Sequence, residues 1–271
     1  MNTWSPKGPA YLFCPADRPD RFSKAAAVAD VVIVDLEDAV APERRELARE
    51  SVHASTLDPA TTIVRVNPVA SPEHARDLAM LEDTPFRTIM VAKTSSADEV
   101  RSLHRYNVVA LVESARGISA VEEIVACANT VGVMWGSEDL VASLGGYSSR
   151  HEDGSWRDVA RYARARTLIA ARAHHLVALD ATFLDLDNLE ALAREAADAA
   201  AMGFSGTPCV HPTQVAVVRA AYAPSPTQVA WARRVLEGSE GRGGALRVDG
   251  LMVDGPVLAQ ARQIMERVLG V

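Results

Sequence analysis

Short, largely apolar runs recur along the chain at 11–14, 31–34, 61–66, 88–91, 108–112, 131–135, 176–179 and 207–210, the third carrying Arg65 near its exit. They are apolar in succession rather than in alternation, the pattern of strands covered on both faces in a parallel sheet. Polar segments with helix-start signals separate them. Asp20 is placed to cap a helix over 20–29, Pro42 to open one that runs over 43–55, and Ser71-Pro72 to start the next. Ser96-x-x-Glu99, Ser119-x-x-Glu122 and Asp187-x-x-Glu190 have capping-box spacing. A polar loop at 145–154 precedes a helix over 158–174, and Gly203 stands where a helix C′ residue belongs. Strand–helix units repeating roughly every 25 residues predict an α/β fold, a (β/α)₈ TIM barrel with right-handed crossovers. An open dinucleotide-binding sheet is disfavoured, because no Gly-x-Gly-x-x-Gly follows the first strand.

After the eighth unit the pattern changes. Ser225-Pro226 opens a helix to about Glu237, and a Gly-rich joint occupies 238–244. Apolar pairs then flank Asp249-Gly250, a two-residue hairpin signal, and Gly255-Pro256 starts a last amphipathic helix. The expected organisation is a barrel over 1–222 and a helix–hairpin–helix arm or lid over 223–271, belonging to the same domain.

Composition narrows the class. The 271 residues are 48% hydrophobic, enough for one large core, and the net charge of -7 excludes a nucleic-acid surface. Cys14, Cys127 and Cys209 have no metal-ligand spacing and fit a reducing compartment. With no long apolar core near the N-terminus and no membrane-length apolar stretch, the expectation is a soluble cytoplasmic protein.

Charged residues gather where the strands end. Glu37, Asp38, Arg65, Lys93, Glu113, Asp139, Asp180 and His211 all fall at or just past strand C-termini, and in a barrel those ends form one face. Singly, each is more simply a cap or a solvated charge. Jointly they crowd like charges that repel unless a cation joins them. Glu113 and Asp139, at successive strand exits, offer hard oxygen ligands suited to Mg²⁺ or Mn²⁺. Arg65 can grip a carboxylate bidentately. A metal polarising a carbonyl beside that carboxylate stabilises an enolate, the intermediate of aldol and Claisen chemistry.

The segments LFCPADRPDRF, ADVVIVDLEDAV, IVRVN, VALVESARG, WGSEDLVASLG, CVHPTQ and MVDGPVLAQAR resemble the citrate lyase β-subunit-like branch of the HpcH/HpaI aldolase superfamily. The resemblance spans nearly the whole chain, and DLEDAV, GSED and MVDGP in that order are specific. It implies a Mg²⁺-dependent barrel, commonly trimeric (or hexameric as a dimer of trimers), acting on a coenzyme A thioester. It makes Glu113 and Asp139 metal ligands, with Glu113 also at the substrate, places Glu37 and Asp38 near the metal's waters, and gives Arg65 the substrate carboxylate. Lys24 then helps bind coenzyme A, Gly136 and Ser137 line the substrate, and Asp254 is the catalytic acid/base, delivered across a subunit boundary. Ala92, where the pattern usually has Pro, and Arg44-Arg45, in place of a frequent Lys, are peripheral departures. The implied activity cleaves a malyl-, citramalyl- or hydroxymethylglutaryl-CoA-type β-hydroxyacyl-CoA to acetyl-CoA or propionyl-CoA and a keto acid. The alternative is the catalytic β subunit of a citrate lyase complex, acting on a citryl thioester. A free-acid pyruvate aldolase fits the arm less well, and a silent scaffold barrel has no use for the charged strand ends.

Overall fold

The computed structural model describes residues 4, 6–239 and 246–269. The parallel strands β1 (Ala10–Pro15), β2 (Val31–Asp35), β3 (Thr62–Val66), β4 (Thr88–Val91), β5 (Asn107–Val112), β6 (Thr130–Trp135), β7 (Val177–Leu179) and β8 (Thr207–Cys209) lie in the spatial order β7-β6-β5-β4-β3-β2-β1-β8. The two outer strands meet at a Leu179–Gly206 bridge, with Asp180 N–H donating to Gly206 O at 3.0 Å, so the sheet closes into the expected (β/α)₈ barrel. The helices between the strands are α1 (Phe22–Val28), α2 (Arg45–His53), α3 (Pro72–Glu82), α4 (Ala97–Ser102), α5 (Ala115–Ser119), α6 (Val121–Val125), α7 (Ser137–Ser143), α8 (Asp158–Ala173) and α9 (Leu189–Met202), with α10 (Pro212–Tyr222) after β8.

Consecutive apolar residues bury both strand faces. Tyr11, Ile33, Ile63, Met90, Val109, Leu111, Met134 and Leu179 fill the barrel interior. The alternate residues, including Leu12, Val32, Val34, Val64, Ile89, Ala110 and Val133, pack outward with helix residues such as Leu81, Ile124 and Leu192. Among the described residues no helix is long and apolar enough to cross a membrane.

Several predicted caps are displaced. Asp20 lies inside a 3₁₀ turn and pairs with Arg18, so it caps nothing. Ser114 rather than Ser119 caps the helix after β5, accepting from Gly117 N–H at 3.0 Å, while Ser119 donates back to Ala115 O and Glu122 pairs with Arg166. Asn188, one residue past Asp187, accepts from Ala191 N–H and starts α9, which stops at Gly203 with φ 109°. Ser71 and Ser96 cap as expected.

Beyond the barrel strands, α11 (Pro226–Ser239), the antiparallel hairpin β9 (Leu246–Val248) and β10 (Leu251–Val253), and α12 (Gly255–Leu269) follow the predicted pattern. Asp249 and Gly250 both have positive φ, as a two-residue hairpin turn requires. Gly238 and Ser239 end α11, and the rest of the predicted glycine-rich joint lies outside the described residues. Ala232, Val235, Val253 and Ala261 form a small core of their own, and Arg267 Nη1 reaches Ala200 O of α9 at 3.1 Å.

Candidate active site

The strand exits bring most of the predicted residues together. Asp35 and Arg65 are register partners at the ends of β2 and β3. Arg65 Nε and Nη2 donate to the two Asp35 oxygens at 2.6 and 2.5 Å, and Nη1 lies 3.0 Å from Glu37 Oε2. The Phe13 ring stacks 5.0 Å from the guanidinium. Burial works against the Arg65 charge, but Asp35 and Glu37 outweigh it and raise its pKa well above the usual value. Lys93, past β4, pairs with Glu37 and Asp38 and lies 3.6 Å from Asp139 Oδ1. Its backbone N–H donates to Glu113 Oε1 at 3.0 Å.

Glu113 is the most deeply set of the pair at β5 and β6, with 4% exposure, whereas the Asp139 carboxylate, in the first turn of α7, is 41% exposed. Burial, then the charge of Asp139, pushes the Glu113 carboxyl up to about 8 against the opposing pull of Arg65 and Lys93. Gly136 belongs beside it: a Cβ there meets Glu113 Oε2 at 2.6 Å. Glu37 is also raised, by burial, despite Arg65 and Lys93. At Asp38 burial is outweighed by the bond with Glu37 and by Lys93 and Arg65, which hold its carboxyl low. Among the described residues no three or more His, Cys, Asp and Glu side chains are arranged to hold a metal ion by themselves. Two hard carboxylates, one buried and destabilised by the other's charge, suit a divalent ion that takes its remaining ligands from water or substrate.

Other predicted residues take partners outside this cluster or stand exposed. Asp180 is 1% exposed and held by Arg164 and by Trp135 Nε1 at 2.7 Å, so it braces the wall between β6, β7 and α8. His211 caps α10, its Nδ1 accepting from Thr213 N–H, with Gln214 completing a capping box. Lys24 is exposed on α1. Ser137 Oγ donates to Glu138 Oε1. Asp254 Oδ1 accepts from Val257 N–H at 3.5 Å, starting α12. Asp35, to which the pattern of strand-end charges assigns no role, fixes Arg65. Its signal was an opposite charge at the neighbouring strand exit.

The HpcH/HpaI aldolase/citrate lyase family model matches residues 10–212. The chain belongs to this family. A "Citrate lyase subunit beta-like protein" of Mycobacterium tuberculosis is 52% identical over 260 residues, covering 96% of this chain and 95% of that one. The human "Citramalyl-CoA lyase, mitochondrial" is 30% identical over 287 residues, covering 93% and 83%. Among solved structures, CitE from Mycobacterium tuberculosis, in complex with magnesium, acetoacetate and coenzyme A, superposes with a TM-score of 0.94 at 51% identity, covering 97% and 98% of the two chains.

Proposed function

We propose that this chain is a Mg²⁺-dependent carbon–carbon lyase that cleaves a short β-hydroxyacyl-CoA bearing a distal carboxylate, releasing acetyl-CoA or propionyl-CoA and a keto acid. The observation that carries this reading is the pairing, in one mouth, of a pre-positioned guanidinium with two unequal carboxylates. A relative at 51% identity that contains magnesium, acetoacetate and coenzyme A supports the ligand classes. Glu113 and Asp139 would hold the ion, with Glu37 and Asp38 beside its waters. When bound, the ion polarises the substrate oxygen and offsets the negative charge that grows as the C–C bond breaks.

The chain's own groups do the rest. Asp35 locks the Nε edge of Arg65, so the substrate carboxylate exchanges with Glu37 at the Nη1 side and is oriented there. Gly136 and Ser137 border that space, and Lys24 contacts the coenzyme. Asp254 takes the β-hydroxyl proton as the bond breaks and returns a proton to the thioester α-carbon, so one carboxylate serves both steps. Its place at the start of α12 favours delivery to a neighbouring barrel in a homotrimer, or in a hexamer of two trimers. In this reading residues 223–271 are an arm of the barrel domain, and the enzyme works in the cytoplasm, where its buried free cysteines stay reduced. The 52%-identical relative's name keeps a second reading, the catalytic β subunit of a citrate lyase complex.

A panel of malyl-, citramalyl- and hydroxymethylglutaryl-CoA, with citryl thioester alongside, tests the proposal. Acetyl- or propionyl-CoA release from a CoA substrate, dependent on Mg²⁺ and abolished by EDTA, is expected. Turnover of the citryl thioester alone would favour the second reading, and release unaffected by EDTA would overturn the metal mechanism.

A further inference from the structure

Lys93 reaches across the carboxylate cluster in two directions at once. Its backbone N–H holds Glu113, while its ammonium pairs with Glu37, lies 3.2 Å from Asp38 Oδ2 and 3.6 Å from Asp139 Oδ1. Lys93 adopts φ 52°, a left-handed conformation costly for a residue with a Cβ. That strain turns the amide toward β5 while the side chain runs back over β2 and α7. An ordinary lysine ammonium is charged at neutral pH, and this one shares Asp139 with the metal-binding pair.

We propose that Lys93 is a resident counter-cation: its ammonium holds Glu37, Asp38 and Asp139 together in the metal-free enzyme and thereby lowers the affinity of the Glu113–Asp139 pair for a divalent ion. The inference rests on the reading of Glu113 and Asp139 as metal carboxylates, and it adds a residue that acts through them rather than on the substrate. Two consequences follow from charge alone. Carboxylates at this spacing repel, so the metal-free mouth needs a positive charge to stay assembled. The same charge repels an incoming dication, which keeps the ion exchangeable. The Lys93 side chain is 34% exposed and unbranched, so it can withdraw toward solvent.

Calorimetric titration of metal-free protein with MgCl₂ tests this, comparing wild type with Lys93→Met, Lys93→Asn and Lys93→Arg. Asn tolerates positive φ, so its variant guards against a folding defect. Lys93→Met and Lys93→Asn are expected to bind Mg²⁺ about tenfold tighter, since a unit charge several ångströms from a dication is worth roughly that even in water. Both should melt at lower temperature in EDTA, and Lys93→Arg should keep wild-type affinity. Folded Met and Asn variants that bind Mg²⁺ no more tightly than wild type overturn the inference and leave the metal site standing. A wild-type protein that binds no Mg²⁺ overturns both.

Discussion

At the scale of residues, the mouth is built from opposed charges whose balance can be measured. Glu113 titrates near 8 in the folded chain and about 4.3 when unfolded, so between those values the metal-free folded state binds a proton that the unfolded state does not. Stability from this group is present at low pH and lost as pH rises through 8. Denaturant melts in EDTA at pH 6 and pH 9 should therefore differ by about 2–4 kcal/mol in favour of pH 6, and Glu113→Gln should flatten the difference while abolishing Mg²⁺ binding. Arg65→Lys keeps the charge but cannot span both Asp35 oxygens and a substrate carboxylate. A loss of about 1.5–3 kcal/mol in transition-state stabilisation, read from kcat/KM, is expected, and an unchanged ratio would remove Arg65 from the site. Every residue of this cluster stands at a strand exit that the apolar runs announce. Which of them are structural was not legible, because Asp180 and His211 carry the same signal as Glu113. Only the positions of Arg164, Trp135 and Thr213 separate them.

At the scale of elements, the turn between β6 and α7 is set by its close approach to Glu113. Gly136→Ala adds a methyl where Glu113 Oε2 already lies within contact distance. The carboxylate must move, so Mg²⁺ affinity should fall while circular dichroism stays unchanged; unaltered affinity would show that Glu113 has room to give. Strands were readable nearly to the residue, since burial on both faces keeps the runs largely apolar, with Arg65 in β3 as a charged exception near its exit. Helix starts were less so. Ser114 and Asn188 each sit close to the residue with the textual capping signal, and local hydrogen bonding decides among neighbouring Ser, Asp and Asn side chains of similar propensity.

At the scale of the whole molecule, the arm carries Asp254 on a layer with its own small core. Mixing inactive Asp254→Asn with inactive Glu113→Gln subunits, under conditions of proven exchange, should restore activity if an intact arm meets an intact barrel of another subunit. No recovery places Asp254 in its own barrel or outside the chemistry. The barrel and the order of its units were legible because each unit repeats the same pattern. What the arm covers was not, since no repeated pattern marks it. The closure between β7 and β8 has a consequence of its own. Elsewhere around the barrel neighbouring strands pair over several residues, but here the join is one bridge and a few bonds around Ala178, Asp180, Ser205 and Gly206. In native-state hydrogen exchange the Asp180 and Ser205 amides should consequently exchange ahead of those in β3 to β5, making this seam the line along which the cylinder first unrolls.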